Sequence, residues 1–501
     1  MAETPSTPES QAASPTPHPA APPPPPPVTQ RERSAILGSL AAGVVPSIGL
    51  HHIQVGRKDE INALLGDVQK IEQDAAAVRV VVGQYGSGKT FFLNLLRAVA
   101  LERRLVVAQA DITTERRLQG TTGYARALYA ELMRNLATRA RPDGGGLANL
   151  VERWIGDLAY EITAAGGTDE DVAKQAHQRL APLQDLVAGY DFAHVVTQYY
   201  KGHAAHDQAL CENAIRWLRA EYSTKTEARD DLGVRTIIDD ASMYDYLKLM
   251  AAFARVAGYR GLLVLVDELA VLSHRLNNKT ARDRNYEAIL RIVNDCLQGS
   301  VQGLGFVFAA TDECLEDNRR GLYSYPALAQ RLQRNRFATD DLVDLGGPVV
   351  TLKSLTEEEC FVMLTNIRRV QAGDRPPAEV LPDEAIVAYL QDCNRRMGAR
   401  SFQTPRETVR DFVGLLSILE QNPGADWRRI LGTITTSQAA PDPATAGPGV
   451  DEGDAPFEAD ASGDVGDGGG ERDGGVQGGA ASPAPPASGP AGDDDLASFR
   501  L

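Results

Sequence analysis

Short apolar runs alternate with longer segments of helical periodicity from Gln30 to about Gly432. Parallel strands that are buried on both faces form nearly continuous apolar runs, and helices connect them. The alternation therefore predicts an α/β fold in which helices cover both faces of a parallel sheet. The strand-like runs are Arg79–Val82, Arg104–Asp111, Gly261–Leu269, Gly303–Asp312 and Gly347–Leu352.

Only helical patterns occur between the second and the third strand-like run, from Ile112 to Gly258. This segment is too long for a single crossover between strands, so we predict a large helical insertion. The pattern leaves open whether the insertion is a scaffold or a surface for partners. Apolar residues recur at i, i+3 and i+4 in Tyr124–Thr138, Leu147–Ala165, Val172–Val187 and Gln208–Tyr222.

Helical patterns also follow the last strand-like run. Thr356 is of a type that caps helices, and Glu359 stands three residues later, as in a capping box. Two or three more helices are predicted between Asp383 and Leu431, and these helices would form a C-terminal lid. The chain then divides into an N-terminal tail (1–29), a first core segment (30–111), the helical insertion (112–258), a second core segment (259–354), the helical lid (355–434) and a C-terminal tail (435–501).

The two ends of the chain differ in composition from its middle. Residues 1–28 are mostly Pro, Ala, Ser and Thr, and the residues from about Ser437 onward are mostly Gly, Ala, Pro and Asp, so both tails are predicted to be disordered. The formal charge of the chain is −16. Residues 437–501 carry −11 of it (13 acidic and 2 basic side chains) and the N-terminal tail carries −2, which leaves −3 for the middle of the chain. The net negative charge of the chain therefore does not argue against nucleic-acid binding by its middle part. The acidic tail is either a solubilising segment or an occupant of a basic groove.

Several classes of protein are disfavoured by what the sequence lacks. It shows no secretion signal and no apolar run long enough to span a membrane. Its five cysteines include no C-x-x-C pair, which suits reduced thiols in a cytoplasm. His203, His206 and Cys211 have a spacing that a metal could use on a helix, but no second pair of ligands accompanies them. We therefore expect a cytoplasmic protein without a membrane segment.

A glycine-rich loop joins the first strand-like run to an apolar-periodic helix. Its sequence fits G-x-x-x-x-G-K-[ST], and the strand before it and the helix after it supply the context that this motif needs. Small residues let the backbone N–H groups surround phosphate oxygens at the start of a helix. Lys89 would reach the β- and γ-phosphates, and Thr90 would bind Mg²⁺ through its hydroxyl. The predicted nucleotide-binding residues are Gly83, Gln84, Tyr85, Gly86, Ser87, Gly88, Lys89, Thr90 and Phe91.

Two carboxylates end the third strand-like run. Asp267 is predicted to lie on the magnesium side of the nucleotide, and its neighbour Glu268 to polarise the attacking water as a general base. A solvated turn after a strand is the alternative interpretation. The P-loop upstream in an α/β chain favours the catalytic one.

Polar residues also end the fourth strand-like run. Thr311 and Asp312 are expected beside the terminal phosphate, where a polar side chain can bond the phosphate or the water. For Asp312, capping of the helix that follows is nearly as plausible a reading of the pattern. The sequence keeps both interpretations.

Arginines are frequent in the second half of the chain. A solvated basic helix face explains any one of them, although one could reach the γ-phosphate of a neighbouring subunit as an arginine finger. Arg406 begins a predicted helix, after Thr404 as N-cap and Pro405 at the first position. From the lid, Arg406 could fold back over the nucleotide. The candidates after the fourth run are Arg319, Arg320, Arg331, Arg334 and Arg336.

The order of these motifs resembles the AAA+ ATPases, in particular their initiator-like branch with a Gly-Arg-x-x-Glu box ahead of the P-loop. The box would be Gly56–Glu60. In more detail, residues 30–432 resemble the BrxC/BrxD-type ATP-binding proteins of bacterial BREX phage-defence systems. The segments that carry this resemblance are Ala42–Leu50, His52–Arg57, Val82–Leu93, Asp111–Leu118, Val266–Leu269 and Thr404–Glu407.

The resemblance implies site roles and one departure. Initiator-type relatives carry a winged helix after the lid, whereas this sequence becomes low in complexity soon after Leu431, which argues against sequence-specific DNA binding by the chain alone. The implied roles fall on Gly56 and Arg57 (adenine border), Lys89 and Thr90 (Walker A), Asp267 and Glu268 (Walker B), Thr311 (sensor 1), Arg331 (arginine finger) and Arg406 (sensor 2).

Together, the motifs and the resemblance predict a Mg²⁺-dependent ATPase that acts as an oligomer in a phage-defence or DNA-handling complex. Its expected partners are copies of itself and other defence-system proteins, with DNA as an open case. One alternative is a nucleotide-gated switch that recruits partners with little turnover. Another is a loader of origin type, whose turnover DNA would stimulate.

Overall fold

The computed structural model describes residues 27–120, 123–187, 189–338, 344–397 and 405–437. Most of the predicted N-terminal tail, the C-terminal tail beyond Ser437 and the predicted N-cap Thr404 lie outside these residues. Every element below belongs to the described part of the chain.

The centre of the fold is a parallel sheet of five strands. The predicted α/β class is confirmed, and each strand lies within its predicted run or overlaps it. Since the strands are parallel, their carboxyl ends meet at one edge of the sheet. The strands are β1 (Ala76–Val82), β2 (Val106–Asp111), β3 (Leu262–Asp267), β4 (Leu304–Ala310) and β5 (Val349–Thr351). Their order in the sheet is β2-β3-β4-β1-β5.

Helices cover both faces of this sheet because successive strand residues point to opposite sides. Leu263 and Leu265 pack with the helices Lys58–Glu72 and Lys89–Glu102 on one face. Val264 and Val266 pack with the helices Tyr124–Arg134, Met243–Val256 and Lys279–Leu297 on the other. Burying each such side chain contributes about 1.5–3 kcal/mol. The helices around the sheet are α1 (Gln30–Ala41), α2 (Lys58–Glu72), α3 (Lys89–Glu102), α4 (Tyr124–Arg134), α10 (Met243–Val256), α11 (Ala270–His274), α12 (Lys279–Leu297), α13 (Asp312–Glu316) and α14 (Pro326–Leu332).

The residues between β2 and β3 are helical, as their periodicity predicts. The predicted helix Tyr124–Thr138 is too long: α4 ends at Arg134, and Ala137 instead pairs with Val107 at the edge of the sheet, N–O 2.7 Å. The sequence pattern does not single out the helices Gly189–Ala204, Lys225–Leu232 and Met243–Val256. Between α4 and α10 the helices are α5 (Gly146–Ala164), α6 (Asp169–Gln184), α7 (Gly189–Ala204), α8 (Gln208–Leu218) and α9 (Lys225–Leu232).

Helices also follow β5, and the predicted capping box at Thr356 and Glu359 is confirmed. Ile36 of α1 is buried in the same core as Leu364 and Phe412, so the first helix of the chain packs with the lid helices. Among the described helices, none combines the length and the apolar character that a membrane span needs. The lid helices are α15 (Glu357–Ala372), α16 (Pro377–Val380), α17 (Asp383–Met397), α18 (Pro405–Gln421) and α19 (Trp427–Ser437).

An ion pair is buried beneath the sheet. Arg79 of β1 and Asp67 of α2 are each 5% exposed, and the Arg79 Nη2 donates to Asp67 Oδ1 at 3.1 Å. The Arg79 Nη1 also donates to the carbonyl oxygen of Leu345, 2.9 Å away and just ahead of β5. The pair therefore ties α2, β1 and the approach to β5 together.

Candidate functional site

The glycine-rich loop lies between β1 and α3, at the carboxyl edge of the sheet. Gly86 and Gly88 have φ of +74° and +88°, values that side-chain-bearing residues rarely adopt. A Cβ on Gly83 would lie 2.7 Å from the Ser87 Oγ, so the loop closes tightly on itself. The loop therefore has the compact turn that lets backbone N–H groups face an anion.

Lys89 begins α3 and reaches back across the loop. Its Nζ donates to the carbonyl oxygens of Gly83 and Gln84, at 2.8 Å each. Burial lowers the pKa of Lys89, and the nearby carboxylates of Asp267 and Glu268 oppose that shift. The ammonium group is thus held at the mouth of the loop, beside the acidic end of β3.

The acidic end of β3 meets the first turn of α3. The Thr90 Oγ1 donates to Asp267 Oδ2 at 2.7 Å, and Asp267 is 4% exposed. Partial desolvation by the surrounding residues raises the pKa of Glu268, with the charges of Asp267 and Asp111 adding to the shift. Glu268 is exposed and has φ of +58°, a strained value for a non-glycine residue that recurs at functional sites. Glu268 therefore projects from the strand end, whereas Asp267 stays buried against α3.

The Gly-Arg box connects the loop to the lid. An Arg57 Nη2 donates to the carbonyl oxygen of Ser87 and lies 3.5 Å from that of Lys353. A Cβ on Gly56, which has φ of +65°, would lie 2.2 Å from the Glu359 Oε1 of α15. Burial lowers the pKa of Arg57, opposed by Glu60 and Glu359. Arg57 of the box thus contacts the P-loop, and Gly56 lies against Glu359 of the lid.

A cavity of about 430 Å³ opens between the P-loop and the lid, a volume suited to a small organic ligand. One end is polar and is formed by the P-loop with Asp267 and Glu268. Arg406 and Arg410 of α18 line its lid side. The other end is apolar and is lined by Val44, Val45, Ile53, Met363, Ile367 and Val409.

Most of the predicted site residues line this cavity. Gly56, Arg57, Lys89, Asp267, Glu268, Arg406 and the loop from Tyr85 to Phe91 all do so, while the carbonyl oxygens of Gly83 and Gln84 hold Lys89. Thr311 and Arg331 are not among the described residues that line it. The cavity therefore joins the charged loop to an apolar wall that no sequence motif indicated.

Thr311 is 4% exposed and caps α13: its Oγ1 accepts from the N–H of Cys314 at 3.1 Å. The interpretation of Asp312 as this N-cap is wrong, because Asp312 is the first residue inside the helix. Arg331 lies on the exposed side of α14, where its Nε donates to Asn294 Oδ1 at 3.0 Å. Its neighbour Arg334 pairs with Asp312 at 3.3 Å and Glu316 at 3.1 Å.

Two acidic residues near the site were not predicted as members of it. Asp111 ends β2 and is the register partner of Asp267. Partial desolvation of its carboxyl group and the charge of Asp267 raise the pKa of Asp111, although the residue is exposed, while Arg116 opposes the shift. Glu359 contacts the box although it was identified only as part of a cap. The signal available for Asp111 was that β2, like β3, ends its apolar run in a carboxylate.

The donor set at the polar end fits a hard divalent cation. Mg²⁺ prefers oxygen ligands and keeps several waters, and the Thr90 hydroxyl and the Asp267 carboxylate are oxygen donors already in contact. By contrast, within the described residues only Glu32, His51 and His52 form a trio of donor atoms all within 4.8 Å of one another. His203, His206 and Cys211 therefore do not form a three-ligand group.

A five-stranded parallel sheet with this order, a P-loop after β1, paired carboxylates after β3 and a helical lid define a P-loop nucleotide-binding protein of the AAA+ type. Residues 28–435 match the family of the BREX system ATP-binding proteins BrxC/D, and the chain belongs to that family. It is therefore an ATP-binding protein of a phage-defence system. No individually curated protein matches the chain. Its placement in the initiator-like branch stays a prediction.

Proposed function

We propose that this protein binds ATP with Mg²⁺ in the cavity between the P-loop and the lid and hydrolyses it to ADP and phosphate. The observation that carries the proposal is the Thr90–Asp267 hydrogen bond of 2.7 Å beside Glu268, at the polar end of a cavity with an apolar wall. The triphosphate would occupy the polar end, at the N-terminus of α3. The base would occupy the apolar end.

Each polar group has a separate task. Lys89 would exchange its bonds to the loop carbonyl oxygens for bonds to the β- and γ-phosphates, and backbone N–H groups would bind the remaining oxygens. Thr90 and Asp267 would hold Mg²⁺, which neutralises charge on the phosphate oxygens when bound. Glu268 would accept a proton from the attacking water as general base.

Two further residues act from outside the phosphate end. Arg406 would reach the nucleotide from α18, where it already lines the cavity. Arg331 lies on an exposed surface away from its own cavity, so we propose that it serves a neighbouring subunit of a homo-oligomer. Thr311 would donate its O–H to the terminal phosphate, since its hydroxyl oxygen only accepts a bond as the cap of α13 and its own proton stays available.

The proposed setting is a cytoplasmic complex with other proteins of the BREX system, in which DNA is a possible ligand. The link from the P-loop through Arg57 to Lys353 and Glu359 supports a role for the nucleotide in moving the lid. Two alternative functions would use the same ATP-binding site. In one, ATP acts only as a switch, and in the other DNA stimulates turnover as in a loader.

Steady-state phosphate release by the full chain tests these functions. We expect Mg²⁺-dependent turnover that Glu268→Gln lowers by about 10²-fold or more, because general base catalysis contributes on that order. Binding of a fluorescent ATP analogue should persist in Glu268→Gln. The matched control is Glu313→Gln, which removes an exposed carboxylate at the same edge of the sheet.

The outcomes separate the candidates. Phosphate release at the buffer level by a protein that binds the analogue would establish the switch instead of the ATPase. Equal release by Glu268→Gln and the unmodified chain would show that Glu268 is not the base. A rise in turnover on adding duplex DNA would favour the loader, and a flat response would count against it.

A further inference from the structure

We propose that Asp111 is a second acidic member of the cation site beside Asp267. Its carboxylate would accept a hydrogen bond from a water ligand of the nucleotide-bound Mg²⁺. The proposal rests on the proposed function and adds a residue to it that no sequence motif indicated. Asp111 is a positioning residue in this role, since it would act on the cation through water and would not touch the reacting phosphate.

The sheet register places Asp111 beside Asp267. The two residues are partners in the parallel pairing of β2 with β3, and neighbouring strands lie about 4.8 Å apart. The N–H of Ile112 donates to the carbonyl oxygen of Asp267 at 3.0 Å, which holds the end of β2 against β3. The two carboxylates therefore leave the sheet at the same level.

The contacts of α3 show that both carboxylates lie on the same face. Gln109 donates from Nε2 to Asn94 Oδ1 of α3 at 3.2 Å, and Asp111 follows it by two residues, so its side chain points to the same side. Asn94 is one helical turn after Thr90. Asp111 thus stands on the side of Thr90, to which Asp267 is bonded on the neighbouring strand.

The different exposure of the two carboxylates suggests which one contacts the cation directly and which one contacts it through water. Asp267 is buried against the Thr90 hydroxyl, whereas Asp111 is exposed at the edge of the sheet. Mg²⁺ dehydrates reluctantly and is bound through one or two carboxylates with several waters retained. A direct contact at Asp267 and a water-mediated contact at Asp111 match this preference.

An alternative role for Asp111 is an ion pair that fixes the chain after β2. Arg116 is the basic residue that interacts electrostatically with Asp111. However, the Arg116 Nη1 already pairs with Glu131 Oε1 at 3.1 Å. If Asp111 only anchored Arg116, removal of either side chain would have the same effect on the site.

Binding of Mn²⁺, a spectroscopic substitute for Mg²⁺, tests the proposal without turnover. The full chain is titrated with Mn²⁺ in the presence of a non-hydrolysable ATP analogue, and free Mn²⁺ is followed by electron paramagnetic resonance. We expect Asp111→Asn to weaken Mn²⁺ binding by about 10-fold, as the loss of outer-shell ligand partners does. Analogue binding in EDTA and the thermal midpoint of the metal-free protein should not change.

Two variants serve as controls. Glu102→Gln removes the same charge at the far end of α3, and Arg116→Ala removes the partner of the alternative ion pair. Both should bind Mn²⁺ as the unmodified chain does. Unchanged Mn²⁺ affinity in Asp111→Asn, an equal loss in Arg116→Ala, or a loss of analogue binding in EDTA would overturn the role of Asp111. If the unmodified chain binds the analogue but takes up no Mn²⁺ with it, the proposed Mg²⁺ function itself fails, and Asp111 with it.

Discussion

The hydroxyl of Thr90 and the carboxylate of Asp267 are hydrogen-bonded at 2.7 Å although 176 residues separate them in the chain. The contact joins the first turn of α3, which precedes the helical insertion in the sequence, to the end of β3, which follows it. Both oxygens are candidate ligands of the same cation. The fold therefore brings the glycine-rich loop and the paired carboxylates after β3 together.

Substitution of Thr90 tests this contact. Thr90→Ala should weaken the binding of a fluorescent ATP analogue in Mg²⁺ by about 10-fold or more, because it removes an oxygen ligand of the cation, and even the loss of outer-shell partners lowers metal affinity by about 10–100-fold. The affinity in EDTA should stay the same. Thr90→Ser keeps the hydroxyl and is the matched control. An equal loss with and without Mg²⁺ would contradict a role at the cation.

The contact between the box and the lid gives a second prediction. Gly56→Ala should weaken nucleotide binding, because the new Cβ would lie 2.2 Å from the Glu359 Oε1 and a positive φ costs an alanine about 1–2 kcal/mol. The double variant Gly56→Ala, Glu359→Ala should recover part of the loss, since only the clash is removed. Analogue titrations of the three variants, with Glu359→Ala alone as control, measure the recovery. No recovery would mean that the box and α15 do not meet in the functional state.

Mixed oligomers test whether Arg331 acts across subunits. Arg331→Ala and Lys89→Ala should each lack phosphate release, and mixtures should recover some of it, because a site with an intact Lys89 can then face an intact Arg331. Arg334→Ala is the comparison, since Arg334 already pairs with Asp312 and Glu316 of its own chain. The absence of recovery at every ratio would remove Arg331 from the site.

The buried Arg79–Asp67 pair should contribute to stability. Asp67→Ala leaves the Arg79 charge buried without its carboxylate, which typically costs about 3–5 kcal/mol in the free energy of unfolding. Lys70→Ala removes the exposed partner of the same carboxylate and should cost under about 1 kcal/mol. Urea unfolding of both variants gives the comparison. Equal changes in the free energy of unfolding would show that Asp67 stabilises the fold through the exposed Lys70 and not through Arg79.

The elements that depend on neighbouring residues are predictable from the sequence. The strand, loop and helix around Lys89 follow one another in the chain, so their order alone predicts the turn. The capping box of Thr356 and Glu359 also spans only a few residues. Strand β3 was recognisable because it is buried on both faces and therefore apolar throughout.

What the sequence did not show depends on contacts between distant segments. The pairing of Asp111 with Asp267 requires the strand order, and the approach of Glu359 to Gly56 requires the position of the lid. The end of α4 was missed because Ala137 leaves the helix to pair with Val107, a tertiary contact that overrides the helical pattern. The wrong cap at Asp312 reflects two adjacent residues that both suit the position.

The shared core of α1 and the lid has a mechanical consequence. Ile36 packs with Leu364 and Phe412, so one hydrophobic core joins α1, which precedes Val44, to the lid helix that carries Met363. The strands of the sheet and α3, between which the glycine-rich loop lies, are buried mainly in other cores. A nucleotide with its base against Met363 and its phosphates in the loop would therefore contact elements of different cores. Loss of its terminal phosphate would remove contacts to the loop, while the contacts of the base to the lid would remain.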